Sequence, residues 1–279
     1  MYFSTADEME KLDELAVEHG LEIRQMMELA GWHMVEVFNK LSIGLSDQIV
    51  IVVGKGNKGG DGLSAARHLV NHGYKNISII LVSKDIKPDS QHHLDLLVKM
   101  DMPIMVYSEN QDLAKEKIDS ADIIMDSLIG YHLQGEPRGD FAELIEIINN
   151  ASGKVISYDL PSGVDATTGE CQKVCIKADA TLTLAMPKKI FNTNSGKESS
   201  GQVFALDIGV PEFLYNKIAS GSRPESNHSV RKNSANASAS FRLMSVYFST
   251  VSSCVSWNQF PHIVSFRSDF IHANFLSFT

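Results

Sequence analysis

One polar segment of this sequence carries the residue types needed for acid/base chemistry. Two carboxylates and a hydroxyl fall within seven residues, after an apolar strand, in Ser157-Tyr158-Asp159-Leu160-Pro161-Ser162-Gly163-Val164-Asp165-Ala166-Thr167-Thr168-Gly169. A carboxyl group placed there can give and take protons during a reaction. The alternative is a turn in which Asp165 and Thr168 hydrogen-bond their own backbone, and taken singly the segment supports both interpretations about equally.

A glycine-rich loop is the strongest local signal. Five glycines in nine positions lie between an apolar strand and a helix, in Gly54-Lys55-Gly56-Asn57-Lys58-Gly59-Gly60-Asp61-Gly62. A loop that opens a helix offers unpaired N–H groups and the positive end of the helix dipole, which suits a pyrophosphate or another anion. A simple tight turn would also need glycine, but the glycine density together with Asn57 and Asp61 favours a binding loop.

A third polar segment follows another predicted strand. It runs Met125-Asp126-Ser127-Leu128-Ile129-Gly130-Tyr131-His132-Leu133-Gln134-Gly135-Glu136-Pro137-Arg138. Asp126 alone could be a helix cap or a turn residue, and a lone loop histidine such as His132 is more often structural than catalytic. Ligands of open α/β sheets bind over the carboxyl ends of strands, and three such segments after three strands are harder to explain as turns alone.

The sequence around these three segments alternates between predicted strands and predicted helices. Residues 4–42 predict two helices separated at Gly20, and short β-rich runs then alternate with amphipathic helices. Strands are predicted at 49–53, 77–82, 104–106, 123–125, 155–158, 180–184 and 203–206, and helices at 62–72, 90–100, 112–120 and 140–149. This rhythm predicts a mainly parallel sheet with helices on both faces and an N-terminal helical preface.

Composition limits the remaining possibilities. The 279 residues favour one main domain, which we place at 1–219, followed by a Ser-rich tail at 220–279 that is predicted to be disordered. A net charge of −9 argues against nucleic-acid binding, and no apolar run is long enough for a membrane span. The acidic N-terminus does not resemble a signal peptide, so we expect a cytoplasmic protein with its three cysteines reduced.

Taken together, the segments resemble the YjeF N-terminal-domain family, the NAD(P)H-hydrate epimerases, over roughly residues 1–215. The resemblance rests on the three segments above and on Met27-Glu28-Leu29-Ala30-Gly31 and Ala185-Met186-Pro187-Lys188. It implies a Rossmann-like three-layer α/β/α sandwich, commonly dimeric, that binds hydrated NADH or NADPH. The substrate-contacting positions it implies are Asn57, Lys58, Gly59, Gly60, Asp61, Gly130, Tyr131, His132, Leu133, Gln134, Gly135, Glu136 and Asp159.

The resemblance also implies a potassium ion beside the substrate. The side-chain ligands of the ion map to the position of Lys58, to Asp126 and to Ser162, but lysine at 58 departs from the usual Asn-Asn pair of the family. Two outcomes are open at this stage. Either the Lys58 ammonium stands where the cation would be and pairs with Asp126, or Lys58 points to solvent and backbone carbonyls still hold the ion.

The implied activity is epimerisation of NADHX and NADPHX, the hydrated cofactors, in cofactor repair. We expect Asp159 to be catalytic, donating a proton to the leaving hydroxyl and taking one from the incoming water, with Asp126 or Asp165 as a like-charged neighbour that raises its pKa. A separate NAD(P)H-hydrate dehydratase is the expected functional partner. The alternatives are a non-catalytic nucleotide- or protein-binding module and a nucleotide-dependent transferase or dehydrogenase on the same fold.

Overall fold

The computed structural model describes residues 2–133, 135–218 and 244–245 of the chain. Within them the helices are α1 (Ala6–Glu18), α2 (Ile23–Lys40), α3 (Asn57–Asn71), α4 (Pro88–Lys99), α5 (Gln111–Asp119), α6 (Asp140–Asn150), α7 (Asn194–Ser200) and α8 (Glu212–Ile218). The strands are β1 (Gln48–Val53), β2 (Asn76–Leu81), β3 (Ile104–Val106), β4 (Ile123–Ser127), β5 (Lys154–Tyr158), β6 (Ala180–Leu184), β7 (Gln202–Leu206) and β8 (Met244–Ser245). Short 3₁₀ turns lie at Tyr107–Glu109 and Lys189–Asn192.

All of these strands run parallel in one sheet, in the order β3-β2-β1-β4-β5-β6-β7-β8. The chain builds outward from β1 through β2 to β3, then returns to place β4 on the other side of β1. The order therefore reverses between β1 and β4, and open α/β sheets bind ligands beside such a reversal, outside the carboxyl ends of the strands. The segments that follow β1, β4 and β5 meet at this edge.

The sheet is covered on both faces because its central strands are apolar on both sides. Along β1, Ile49, Ile51 and Val53 belong to the apolar cluster that also contains residues of α1, α2, α3, α4 and α8, whereas Val50 and Val52 belong to a second cluster with residues of α5 and α6. This alternation follows from the two-residue period of a strand, and burial on both faces explains why the strand is a continuous apolar run. The three-layer α/β/α sandwich is thereby confirmed.

The N-terminal helices begin and end where the sequence carries capping signals. Thr5 and Glu8 form a reciprocal capping box, in which the Thr5 side chain accepts from the Glu8 amide at 3.1 Å and the Glu8 carboxylate accepts from the Thr5 amide at 2.8 Å. Gly20 has φ +93° after α1, a conformation that glycine adopts without steric cost. The two predicted helices are confirmed within two residues at each end.

Three predictions need correction or qualification. The helix after the glycine loop begins at Asn57 and not at Gly62, so most of the loop is the first turn of α3. Cys171 and Cys175 form a disulfide, contrary to the expected reduced thiols, because an antiparallel bridge between Val164 and Cys171 folds the segment back and leaves the two Cα atoms 5.5 Å apart. Within the predicted tail, only residues 244–245 are described; they pair with β7, and the predicted disorder of the remainder lies outside the described residues.

No described helix combines the length and apolar character that crossing a membrane requires.

Candidate active site

A cavity of about 820 Å³ opens at the reversal of strand order and is bordered by all three predicted segments. Its volume lies in the upper part of the range of small-molecule and cofactor sites. Asp61 from α3, Leu128 and Ile129 after β4, and Asp159 after β5 line it together with Met9 and Met26 from the N-terminal helices. The helical preface is therefore one wall of the site.

Asp159 lies immediately after β5, in a conformation that holds its carboxyl group at the cavity. Its φ is +61°, in the left-handed region that Asp tolerates better than most residues. The Asp159 amide donates to the Leu182 carbonyl at 2.6 Å, and the Leu184 amide donates to the carboxylate at 3.3 Å. Only 8% of the side chain is exposed, so the carboxylate reaches little besides the cavity.

Lys188 is the partner of Asp159, and the sequence reasoning missed it. Its side chain is fully buried, and its ammonium donates to Asp159 Oδ1, to the Leu184 carbonyl at 2.8 Å and to Thr183 Oγ1 at 3.4 Å. The backbone of this segment is fixed by Ser4, whose amide donates to the Pro187 carbonyl at 2.8 Å. Lys188 stands in one of the motifs that carry the family resemblance, which was the available signal.

Two further carboxyl groups share the cavity with Asp159. Loss of water contact and the like charges of Asp159 and then Asp13 raise the pKa of Asp61 well above its ordinary value. Burial also raises the pKa of Asp13, against the hydrogen bond that Tyr131 donates to it at 2.5 Å. The cavity thus combines a carboxyl group whose pKa is raised with a second carboxyl group that is paired to a lysine, and such divergent environments are typical of acid/base sites.

The like-charged neighbours of Asp159 differ from those we expected. The carboxyl groups electrostatically coupled to it are those of Asp61 and Asp13. Asp126 is instead paired with Lys58, and Asp165 accepts from the Thr167 amide at 2.9 Å and the Thr168 amide at 2.7 Å. Asp165 is therefore the turn residue of the alternative interpretation, and the pKa of its carboxyl is lowered although burial alone would raise it.

The glycine loop contributes the amino end of α3 to the cavity wall. Asn57, Lys58 and Asp61 line the cavity, whereas Gly59 and Gly60 pack beneath it: their amides donate to the Gly56 carbonyl at 3.0 and 3.4 Å. Gly54 permits the close approach of two segments, since a Cβ there would lie 1.7 Å from the Leu128 carbonyl oxygen. The loop thus brings the segment after β4 against the start of α3.

Three basic side chains that were not predicted as site residues also line the cavity. Lys55, Lys87 and Arg138 line the cavity, and the Lys87 amide donates to the Lys55 carbonyl at 2.9 Å. Together with the positive end of the α3 dipole they provide a field that favours an anionic ligand within an acidic protein. No periodic pattern links these positions, so only the fold brings them together.

The segment after β4 contributes five of its predicted contact residues to the cavity wall. Gly130, Tyr131, His132 and Leu133 line the cavity, as does Glu136, and the Tyr131 and His132 rings lie 4.2 Å apart between centroids. Gly135 does not contribute to the wall, and Gln134 lies outside the described residues. The His132 side chain is 54% exposed and lies 3.4 Å from Glu10.

Lys58 is buried and does not point to solvent, so that alternative is wrong. Its ammonium lies 3.0 Å from Asp126 and 2.8 Å from Ser162, the two other side chains predicted to hold an ion. Burial lowers the pKa of Lys58, and the adjacent Asp126 opposes that shift. The three predicted ion-binding positions therefore come together, with a nitrogen at their centre.

Comparison with known proteins identifies relatives of this architecture. The family model described as YjeF-related protein N-terminus matches residues 23–190. The chain is 36% identical to the bifunctional NAD(P)H-hydrate repair enzyme Nnr of Moorella thermoacetica over 77% of its length, and 35% identical to the NAD(P)H-hydrate epimerase of Dehalogenimonas lykanthroporepellens over 76%. The crystal structure of yeast ynu0 superimposes with a TM-score of 0.69 at 20% identity, covering 82% of this chain and 97% of that one, which supports the fold.

The relatives differ in how much of their length is matched. The chain spans 42% of the bifunctional Moorella enzyme and 84% of the Dehalogenimonas epimerase. The chain thus matches less than half of the longer relative and most of the shorter one.

Proposed function

The chain belongs to the family of YjeF-related protein N-termini, and on that premise we propose that it epimerises the R and S forms of hydrated NAD(P)H. One observation carries the proposal: Asp61, whose pKa is raised, and Asp159, paired with Lys188, line the same cavity. A reaction that removes a hydroxyl and returns it to the opposite face is assisted by a group that gives a proton to the leaving hydroxyl and a group that accepts one from the incoming water.

The two ends of the cavity bind different parts of the proposed substrate. We place the pyrophosphate at the amino end of α3, near Lys55, Lys87 and Arg138, because N–H groups and cations stabilise phosphate oxygens. The hydrated nicotinamide ring then lies near Asp159 and Asp61. The binding energy of the phosphates thereby serves to orient a ring that offers few charged handles of its own.

The chemical step follows from the structure of the hydrated ring. Its hydroxyl sits on a carbon next to the ring nitrogen, so the nitrogen lone pair forms a C=N bond as the C–O bond breaks, and the protonated Asp61 gives its proton to the departing hydroxyl. Water then adds to the opposite face, the π electrons return to nitrogen, and the Asp159 carboxylate takes the proton. Water then carries the proton from Asp159 back to Asp61, which restores the starting state for the next turnover in either direction.

This assignment distributes a role that we first gave to Asp159 alone. Asp159 is ion-paired with Lys188, whereas burial and the like charges of Asp159 and Asp13 raise the pKa of Asp61, so we assign the proton-donor role to Asp61. Asp159 remains the group whose loss should be most severe, because it is both the proton acceptor and the partner of a buried lysine.

Epimer exchange on a purified single epimer of NADHX, followed by chromatography or NMR, tests the proposal. Asp159→Asn should reduce exchange by about 100-fold or more, the usual share of a proton-transfer group. Asp165→Asn is the matched control, since Asp165 belongs to the same segment but bonds only its own turn. Exchange by Asp159→Asn at the wild-type rate would refute the role, and ligand binding without any exchange by the wild type would favour the binding-module function.

The proposal extends to partners and location. The bifunctional relatives are named as repair enzymes, so we propose that a dehydratase activity consumes the epimer formed here. We also propose a homodimer in the cytoplasm. Analytical ultracentrifugation and fractionation of cells are the corresponding tests.

A further inference from the structure

Four oxygen atoms surround the side-chain nitrogen of Lys58. They are Asp126 Oδ2 at 3.0 Å, the Ile129 carbonyl at 3.1 Å, the Leu160 carbonyl at 2.8 Å and Ser162 Oγ at 2.8 Å. All four lie within hydrogen-bond distance of the ammonium and share its three N–H groups as acceptors. With 4% of the side chain exposed, Lys58 is enclosed by this oxygen cage.

The carboxylate of the cage, Asp126, accepts hydrogen bonds from several donors. Asp126 is completely buried and accepts from Ser157 Oγ at 2.8 Å, from the Ser162 amide at 2.9 Å, from Ser162 Oγ at 2.5 Å and from the Leu128 amide at 3.1 Å, besides Lys58. A buried carboxylate needs a positive partner as well as donors. The ammonium supplies that charge at the centre of the cage.

Potassium does not fit beside this arrangement. The ion that the family resemblance implies would use Asp126 and Ser162, and the Lys58 nitrogen already lies against both. Two positive charges within one buried cage with a single carboxylate would repel each other without water to screen them. The residues present therefore provide the charge and leave no place for the ion.

We propose that the Lys58 ammonium is a built-in substitute for a monovalent cation, which makes this protein independent of potassium. An ammonium held by a covalent stem is always at the site, whereas an ion must be bound from solution. The proposal concerns the cage itself, so it can be tested without substrate and does not depend on the epimerase activity.

Through these hydrogen bonds Lys58 is also a positioning residue for the chain after β4 and the chain after β5. The Ile129 carbonyl precedes the segment that begins at Gly130, and the Leu160 carbonyl directly follows Asp159. One nitrogen thus ties the start of α3 to the chain after β4 and after β5. Removing it should affect the placement of Asp159 through the backbone at Leu160.

The wild-type protein is tested first, after exchange into choline chloride. Its thermal unfolding should be the same in potassium, sodium and choline chloride at one ionic strength, and titration with thallium(I), a potassium mimic, should show no bound ²⁰⁵Tl NMR signal. A melting temperature raised by potassium over choline, or a bound thallium signal in the cage, would overturn the proposal. These measurements need no variant and are decisive by themselves.

The Lys58→Asn variant should reveal the vacated cation site. The shorter amide removes the ammonium and adds an oxygen, so this variant should gain a bound thallium signal, and its melting temperature should rise with potassium but not with choline. The neutral pair Lys58→Met with Asp126→Asn is the matched control and should respond to neither salt. A Lys58→Asn variant that folds, binds no thallium and ignores potassium would contradict the substitution.

Activity provides a separate readout once exchange is established. In choline chloride, Lys58→Asn should exchange epimers roughly 100-fold more slowly than the wild type, the size of effect expected from a misplaced reacting group. Potassium should restore its rate, chiefly in kcat, while leaving the wild-type rate unchanged. Wild-type activity that requires potassium would refute the inference, and a wild type without exchange in any salt would refute only the proposed function.

Discussion

Replacing Lys188 with Met is expected to destabilise the protein more than an ordinary surface substitution does. Lys188 is fully buried, and the Asp159 side chain beside it is 8% exposed. Met preserves much of the side-chain volume but removes the charge, leaving a buried carboxylate without its cation. Breaking a buried ion pair from one side costs about 3–5 kcal/mol, a large share of the about 5–15 kcal/mol that holds a typical domain together.

The magnitude is best measured as a double-mutant cycle with Asp159→Asn. Each single variant leaves one charge unpaired, whereas the double variant is neutral, so its loss should be smaller than the sum of the two by roughly 3 kcal/mol. Urea unfolding followed by circular dichroism gives the free energies by linear extrapolation. Lys189→Met is the matched control, because that neighbouring lysine is exposed, and it should change stability by less than about 0.5 kcal/mol.

Two outcomes would refute the reasoning about this pair. A Lys188→Met variant as stable as Lys189→Met would mean that the buried charge is not held by the lysine. Additive losses in the cycle would mean that Lys188 and Asp159 act independently, and the ion pair would then contribute nothing measurable to stability.

Three other outcomes follow from the structure. A carboxyl group whose pKa is raised in the folded state stabilises the fold fully below its unfolded pKa, near 3.8, and this stabilisation is lost as pH rises through the folded pKa. Asp61→Asn should therefore reduce the fall in stability between acid and alkaline pH. An unchanged pH profile of the urea midpoint would contradict this prediction. Gly54→Ala should destabilise the fold and displace Leu128, because its Cβ would meet a carbonyl oxygen at 1.7 Å; a crystal structure with both segments unmoved would show otherwise. Cys171→Ser should lower the free energy of unfolding by about 2 kcal/mol under oxidising conditions, as expected for a disulfide that closes a short loop, and should not change it in excess reductant. The same loss under both conditions would exclude the disulfide as the cause.

The order of the elements could be read from the sequence because it depends on local patterns. Continuous apolar runs such as Ile49–Val53 are typical of strands buried on both faces, and their alternation with amphipathic helices indicates a parallel sheet. Strands at 104–106 and 180–184 match the prediction residue for residue. The start of α3 was misplaced because glycines weaken a helical pattern even where the backbone is helical.

Each polar segment follows a recognisable strand, so local patterns were enough to predict which segments end at the sheet edge. Which side chains meet there depends on the folding of distant segments against each other. Lys58 and Asp126 are 68 residues apart, and Asp13 comes from a helix whose pattern gave no sign of a site. The physical reason is that a charge is stabilised by whatever lies within a few ångströms of it, and those neighbours are set by the strand order, which brings β1, β4 and β5 side by side.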